Sequence, residues 1–396
     1  MKNYPFYLTW TAQNNALKID IKGSKGPCYI TNDGRKLYDL SSTSYQAAFG
    51  HSYKPIKDAI KKQLNTLPIS SPKGIFDLKE DATKKLLSLI NLPGKIFYTT
   101  SGAESVENAL KIARQITGKN IVLARENSYH GATLGALSIT GDWRNKDHQT
   151  VSKWTKRIPD PIDDPKAIAL EKLILKVGAE KIAAICLETF VGGNGVFSAP
   201  KSWWNALNKL KKKYNFLIIL DEVVSGFGRT GKAFGFQHFS IRPDIICMAK
   251  IITGGYIPFG ALWTTKKISK VYDTKVLSCG LTNYAHPLGL AAMSAVIDDI
   301  TSDQFKINFS NLELKLIEAK DKLSQLSTVS DVRQVGLLMA VDLKTKPAFE
   351  KFIEQEILVA IVGQRLIIAP PYTMTPAKLK SLLNRVYNIL KEKDEN

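Results

Sequence analysis

Apolar and polar positions alternate along the chain with two distinct periods. Largely apolar runs, short enough to be strands buried on both faces, occur at Lys95–Thr99, Asn120–Ala124, Lys181–Leu187, Phe216–Leu220, Asp244–Met248 and Phe259–Thr264. Between several of them lie stretches with helical spacing, at about 104–117, 164–178 and 201–214. Strands alternating with helices predict an α/β fold with a mainly parallel central sheet and helices on both faces.

The ends of the chain read differently. Residues 1–45 are expected to form an extended arm and a small β element, in which Asn32-Asp33-Gly34 turns a hairpin between Cys28 and Leu40. Phe49-Gly-His-Ser-Tyr-Lys-Pro55 leads into an amphipathic helix from Ile56 to Leu64, and a second helix runs from Asp77 to Ile90. The large domain is assigned to residues 46–270. From about Val271 the pattern shifts to long helices, His286–Ile300 and 303–326, then short strands around Val332–Val341 and Arg365–Ala369, and a last helix over 376–393. Residues 271–396 are therefore expected to be a smaller α/β C-terminal domain.

Composition narrows the function classes. No apolar run approaches the roughly 20 residues that span a bilayer, and the start lacks the apolar core of a secretory signal. A cytoplasmic protein with no membrane partner is expected. Cys28, Cys186, Cys247 and Cys279 form no C-x-x-C pair, so neither a metal site nor a disulfide framework is expected. The net charge of +19 is mostly lysine and scattered, its densest run being Lys209-Leu-Lys-Lys-Lys213. Arginine rather than lysine forks onto phosphate, so nucleic acid is not expected as a partner.

The candidate chemistry lies where apolar strands end in charge. Asp221 follows the apolar Phe216–Leu220, and Lys250 follows Asp244–Ala249, each leading into glycine-rich turns. Ligands in open α/β sheets bind at the carboxyl ends of strands. An acid and a lysine delivered there suit pyridoxal 5'-phosphate, with Lys250 forming a Schiff base and Asp221 keeping the pyridine nitrogen protonated. Singly, either residue is more often a helix cap or a solvated side chain. Tyr98-Thr-Thr-Ser-Gly-Ala-Glu104 is a strand, a glycine turn and a helix start, where the N–H groups of Gly102 and Ala103 can receive a phosphate and Ser101 can cap. Tyr129 stacks on a planar ring or is a core aromatic; His130 orients a cofactor or is a loop histidine. Glu188, ending Ile182–Leu187, shapes a pocket or pairs with an arginine.

Ser101-Gly-Ala-Glu104, Tyr129-His-Gly131, Glu188, Asp221-Glu-Val…Gly-Phe-Gly-Arg-Thr-Gly231, Ala249-Lys250 with Thr253-Gly-Gly-Tyr-Ile-Pro258, and Thr282…His286-Pro287, taken together and in this order, resemble the class III pyridoxal-phosphate aminotransferases. The resemblance covers essentially the whole chain. It implies the fold-type I architecture and a homodimer with active sites at the subunit interface. It also implies that Lys250 is the Schiff-base lysine, Asp221 the partner of the pyridine nitrogen, and Val223 the residue on the ring face opposite Tyr129. Gly102 and Ala103 resemble phosphate-binding positions, and Thr282 resembles a threonine that reaches the phosphate of the other subunit.

The implied reaction is ping-pong transfer of an amino group, through pyridoxamine phosphate, from an amine or ω-amino acid donor to pyruvate or 2-oxoglutarate. Aminomutase or decarboxylase chemistry on the same cofactor is the alternative, and a non-catalytic nucleic-acid-binding role a remoter one. The sequence departs from the family at Ile367, where the acetylornithine and 4-aminobutyrate branches carry arginine. Arg365, two residues earlier on the same strand face, is the candidate for a substrate carboxylate. Thr189 stands where proline is common and Cys279 where histidine is common. Trp10 and Tyr45 are candidate pocket contacts from the N-terminal arm, a structural role serving equally well.

Overall fold

The computed structural model describes residues 4–391. The expected end of the last helix at 393 therefore lies outside the described residues. The chain begins with three antiparallel strands, β1 (Ile21–Lys25), β2 (Cys28–Thr31) and β3 (Lys36–Asp39), the last two forming the hairpin read from Asn32-Asp-Gly34. Strand β1 falls in the expected extended arm, ahead of the β element expected from Cys28; its five residues are all exposed, so no burial pattern announces it. Helices α1 (Lys54–Thr66) and α2 (Asp77–Ile90) follow.

The central sheet is assembled next, from β4 (Gly94–Thr99), β5 (Ile121–Arg125), β6 (Thr155–Ile158), β7 (Ile182–Glu188), β8 (Leu217–Asp221), β9 (Ile245–Met248) and β10 (Gly260–Thr265). The crossovers carry α3 (Gly102–Thr117), α4 (Leu134–Ile139), α5 (Ile168–Val177) and α6 (Lys201–Tyr214). The strand order is β4-β10-β9-β8-β7-β5-β6. Pairings from β9 through β8, β7 and β5 to β6 are parallel, whereas β10 is antiparallel to both β4 and β9. Strand β6 escapes a sequence reading because Thr-Lys-Arg-Ile, at the sheet edge, has little apolar character and no alternating burial pattern.

Alternation along the strands separates two cores. On one face, Val122, Ala124, Ala184, Cys186, Ile219, Ile245 and Cys247 pack against Val106, Ala109, Leu110 and Ala113 of α3. On the other, Leu123, Ile185, Leu187, Ile218, Leu220, Ile246 and Met248 pack in a larger cluster with Trp203 and Trp204 of α6. Each fully buried aliphatic side chain contributes about 1.5–3 kcal/mol, so register is strongly fixed: a one-residue slip would exchange the faces. Glu188 and Asp221 continue the odd or even series that faces α3, and they are direct register partners across β7 and β8. This places two carboxylates on the side where α3 begins.

After α7 (Lys266–Val271), α8 (Pro287–Ile300) packs on α1 and α2. The remaining elements are α9 (Asp303–Leu323), β11 (Val329–Val335), β12 (Leu338–Leu343), α10 (Phe349–Glu354), β13 (Ile357–Leu358), β14 (Ala360–Val362), β15 (Arg365–Ile368) and α11 (Pro376–Lys391). A sheet of order β11-β12-β15-β14 packs through β11 against α9, which in turn packs on α11. Strand β13 leaves that unit and pairs in parallel with β3. The N-terminal strands are thus tied to the C-terminal part of the chain, with Leu40 N–H donating to Leu358 O and Ala369 N–H to Leu40 O. Among the described residues, no helix is long and apolar enough to cross a membrane.

Candidate active site

A cavity of about 610 Å³ opens at the carboxyl ends of β7, β8 and β9 and is lined by Ser101, Gly102, Tyr129, Glu188, Asp221 and Lys250, among others. Its anionic floor is Asp221. The carboxylate is nearly buried, its Oδ1 accepting from the Val223 N–H at 3.0 Å. Nδ1 of the buried His130 lies 2.8 Å from Oδ2. An ionised carboxylate can only accept, so His130 Nδ1 carries the proton and donates. His130 therefore orients Asp221, and its own Nε2 is buried with no partner among the described residues.

Glu188 sits beside Asp221. Its oxygens accept from the N–H groups of Tyr129, at 3.1 Å, and Gly192, at 3.0 Å. Burial, opposed by His130 and reinforced by Asp221, holds its pKa above the ordinary glutamate value. Thr189 now has a physical account, because its hydroxyl donates to the buried Glu222 at 2.5 Å, a bond proline could not make.

Lys250 begins a short turn after β9 with φ +52°, left-handed for a residue with a Cβ. Such strain costs on the order of 1 kcal/mol and is typical of functional positions. Its ammonium lies 5.5 Å from the centre of the Tyr45 ring. Burial lowers the lysine's pKa from its ordinary value; Asp221 and Glu188 pull it back up, and Arg144 lowers it.

At the start of α3, Ser101 caps the helix by accepting from Glu104 N–H at 3.2 Å, while Glu104 reaches back to Thr100. The N–H groups of Gly102 and Ala103 have no carbonyl one turn earlier to bond, and both residues line the cavity. A Cβ added at Gly102 would stand 3.0 Å from a Val223 methyl, so the helix start is close-packed and Val223 would have to give way to a larger residue. Tyr129 and Val223 line the same cavity, as do Tyr45 and Trp10 from the N-terminal segment. Burial raises the Tyr129 and Tyr45 pKa values, so both phenols stay neutral at ordinary pH.

Two candidate residues do not line this chain's own cavity. Arg365 does not line the cavity: its Nε donates to Asp342 Oδ1 at 2.5 Å, and Asp342 also binds Arg333. The reason is register, since Asp342 and Arg365 are direct partners across β12 and β15. Thr282 is exposed on the loop before α8 and does not line its own chain's cavity. The arginine that does line it is Arg144, in the Asp142-Trp143-Arg144 turn after α4. Sequence reasoning missed it, because a turn following a short helix carries no periodicity to show where its side chains go.

Tyr45 is delivered by an unusual piece of backbone. Ser42, Thr43, Ser44 and Tyr45 all have φ between +46° and +76°. The buried Asp39 holds this turn, accepting from Ser41 N–H at 3.0 Å, Ser41 Oγ at 2.7 Å and Thr43 Oγ1 at 2.8 Å, with His51 Nε2 3.2 Å away. From the other side Arg229, fully buried, donates to the carbonyls of Tyr45, Leu337 and Pro370.

These features fit pyridoxal 5'-phosphate. A helix start with a close-packed glycine suits the phosphate, an oriented carboxylate suits a cationic ring nitrogen, and a lysine of lowered pKa suits bonding to an aldehyde. The family model described as aminotransferase class-III matches residues 10–390. An ω-aminotransferase of Caulobacter vibrioides is 28% identical, over 94% of this chain and 94% of the relative. The solved taurine:2-oxoglutarate aminotransferase of Bifidobacterium kashiwanohense, with pyridoxal phosphate and glutamate, is 28% identical with a TM-score of 0.92, covering 98% of this chain and 96% of that one. An amine transaminase from an uncultivated Pseudomonas species, in its pyridoxal phosphate-bound form, is 25% identical with a TM-score of 0.92, covering 99% of each chain. The chain belongs to the class-III aminotransferases and is a pyridoxal 5'-phosphate-dependent enzyme of fold type I.

Proposed function

We propose that Lys250 and Asp221 carry amino-group transfer from an amine or ω-amino acid to a 2-oxo acid, in two half-reactions at one cavity. The observation that carries this reading is the convergence of Lys250 and the His130-oriented Asp221 on the same floor. When bound, pyridoxal phosphate supplies an aldehyde that receives the amine and an electron-withdrawing ring that acidifies the neighbouring carbon. Lys250 Nζ would hold the cofactor, and, when freed by the substrate amine, the same nitrogen would take and return the proton. Burial, which lowers its pKa, raises its neutral fraction near pH 7. Asp221 balances a cationic ring nitrogen, and His130 keeps the carboxylate aimed. Gly102 and Ala103 bind the phosphate through backbone N–H groups, with Ser101 fixing the helix start. Tyr129 and Val223 confine the ring. The names of the relatives, ω-aminotransferase and taurine:2-oxoglutarate aminotransferase, support an amine or ω-amino donor and a 2-oxo acid acceptor.

A homodimer belongs to the same reading. Thr282, exposed here, would meet the phosphate of a second copy, and Tyr7, Ile75 and Val276, each at least 80% exposed, supply apolar surface for it. Buried free Cys186 and Cys247 are compatible with a reducing, cytoplasmic location.

The test is a single-turnover half-reaction. Adding an ω-amino acid to holoenzyme should convert the cofactor to its amino form with one carbonyl product per site. Release of carbon dioxide or a rearranged amine would instead indicate decarboxylase or aminomutase chemistry.

A further inference from the structure

We propose that Asp39 and Arg229 are positioning residues: gripping the two ends of the Ser42–Tyr45 turn, they keep the Tyr45 ring over Lys250 Nζ. The inference rests on the transamination reading and deepens it by naming residues outside the cavity that govern the approach to the reacting amine. Neither Asp39 nor Arg229 lines the cavity.

Four consecutive residues with φ of +46°, +46°, +59° and +76°, none of them glycine, do not arise from local preference. Such backbone persists where its surroundings over-determine it. Here the surroundings are two opposite charges. Asp39, fully buried, accepts from the Ser41 N–H, the Ser41 hydroxyl and the Thr43 hydroxyl as the turn begins. Arg229, also fully buried, donates from Nη2 to Tyr45 O at 3.3 Å as the turn ends. Its Nη1 donates to Leu337 O at 3.2 Å and Pro370 O at 2.8 Å. All three acceptors are carbonyls. Burial disfavours the Arg229 charge, and Asp39 is the carboxylate that offsets this. Removing either charge leaves the other buried with less compensation, so the two act on the turn together.

The turn carries Tyr45 to the reacting end of the cavity. Lys250 Nζ lies over the ring, 5.5 Å from its centre. The phenol reaches across to the Gly192-Gly193 turn, where a Cβ on Gly193 would stand 3.4 Å from Tyr45 Oη. Gln46 packs on the glycine turn that follows Lys250, since a Cβ on Gly255 would stand 3.0 Å from Gln46 Cγ. Tyr45 is 9% exposed, so the ring rather than solvent occupies this side of the amine.

The experiment measures how fast hydroxylamine displaces Lys250 from the cofactor in holoenzyme, well below the melting temperature. Hydroxylamine attacks the cofactor carbon bonded to Nζ, the cofactor leaves as its oxime, and Lys250 regains a free amine. Loss of cofactor absorbance follows the release, which needs no turnover. Tyr45→Ala should speed release about 3-fold or more, the lower end for coupled neighbours. Asp39→Ala should also speed it, and the double variant should be no faster than Tyr45→Ala alone, because Asp39 acts through the ring. Asp39→Asn, which can still accept from the Ser41 N–H, should restore part of the protection. Arg229→Lys keeps the charge but loses the planar fork, and should speed release with no addition to Tyr45→Ala. The same proteins should show the same non-additive pattern in kcat/KM for an ω-amino acid with pyruvate.

Unchanged release in Asp39→Ala or Arg229→Lys, whatever their Tm, would show a role in stability alone and overturn the proposal. Effects that add to that of Tyr45→Ala, or unchanged release in Tyr45→Ala, would overturn it too. So would an unchanged or additive kcat/KM in an active parent. If the parent moved no amino group yet release showed the coupled pattern, the transamination reading would fall and the positioning of Tyr45 would stand.

Discussion

Replacing Asp39 by alanine should cost several kcal/mol, although Asp39 touches neither Lys250 nor Asp221. The carboxylate is fully buried and holds the left-handed turn Ser42–Tyr45. In the variant the Thr43 hydroxyl keeps its partner Tyr29 at 2.7 Å, and the Ser41 hydroxyl can rotate. The Ser41 N–H cannot turn away, and a stranded buried donor costs about 1–3 kcal/mol; the 3.2 Å contact between the carboxylate and His51 Nε2 is lost as well. A loss of roughly 3–4 kcal/mol follows, near what removing one partner of a buried pair usually costs. For a chain of 396 residues the unfolding entropy is about 0.8 kcal/mol/K, so Tm should fall by about 4–5 °C.

The pH dependence gives the prediction its sign. Burial alone would raise the Asp39 pKa, but His51, Ser41 and Thr43 outweigh it and hold it below the ordinary aspartate value. A carboxylate depressed on folding adds stability above its unfolded pKa of about 3.9 and loses it as pH falls through the folded value. The deficit of Asp39→Ala should therefore be full at pH 7 and shrink below about pH 4. Scanning calorimetry of both holoenzymes at the two pH values measures it. A Tm within about 1 °C of the parent at pH 7, where 3–4 kcal/mol is expected, would refute the reasoning; so would a deficit that persists undiminished in acid.

His130→Ala removes the donor that orients Asp221, so cofactor affinity should weaken by about 10- to 100-fold, the worth of one hydrogen bond to a charged group; equilibrium dialysis that finds unchanged affinity would remove its positioning role. Gly131 has φ +136°, and a Cβ there would lie 2.8 Å from the Ala103 Cα; Gly131→Ala should displace the start of α3 and lower Tm by a few degrees, from about 1–3 kcal/mol of overpacking, with weaker phosphate retention. A variant with the parent's Tm and phosphate affinity would show that the loop yields freely.

The sequence signals that survived are those tied to burial. Glu188, Asp221 and Lys250 were legible because each follows a strand so apolar that a charge at its end stands out. The α3 start was legible because Ser101 and Glu104 are capping residues at helical spacing. What escaped depends on partners distant in sequence. Arg365 looked available because nothing near it names Asp342, 23 residues earlier, as its register partner. The turn Ser42–Tyr45 contains no glycine, so its left-handed backbone is imposed by Asp39 and Arg229 rather than encoded locally. Arg144 reaches the cavity by way of a 3₁₀ turn, whose side-chain directions no periodic pattern supplies.

Borohydride reduction of the holoenzyme followed by peptide mapping tests most directly whether Lys250 is the residue bonded to the cofactor. Reduction makes that bond permanent, and the account predicts the pyridoxyl label on the peptide containing Lys250 and none in Lys250→Ala. A label on another lysine, or the same label in the variant, would contradict it.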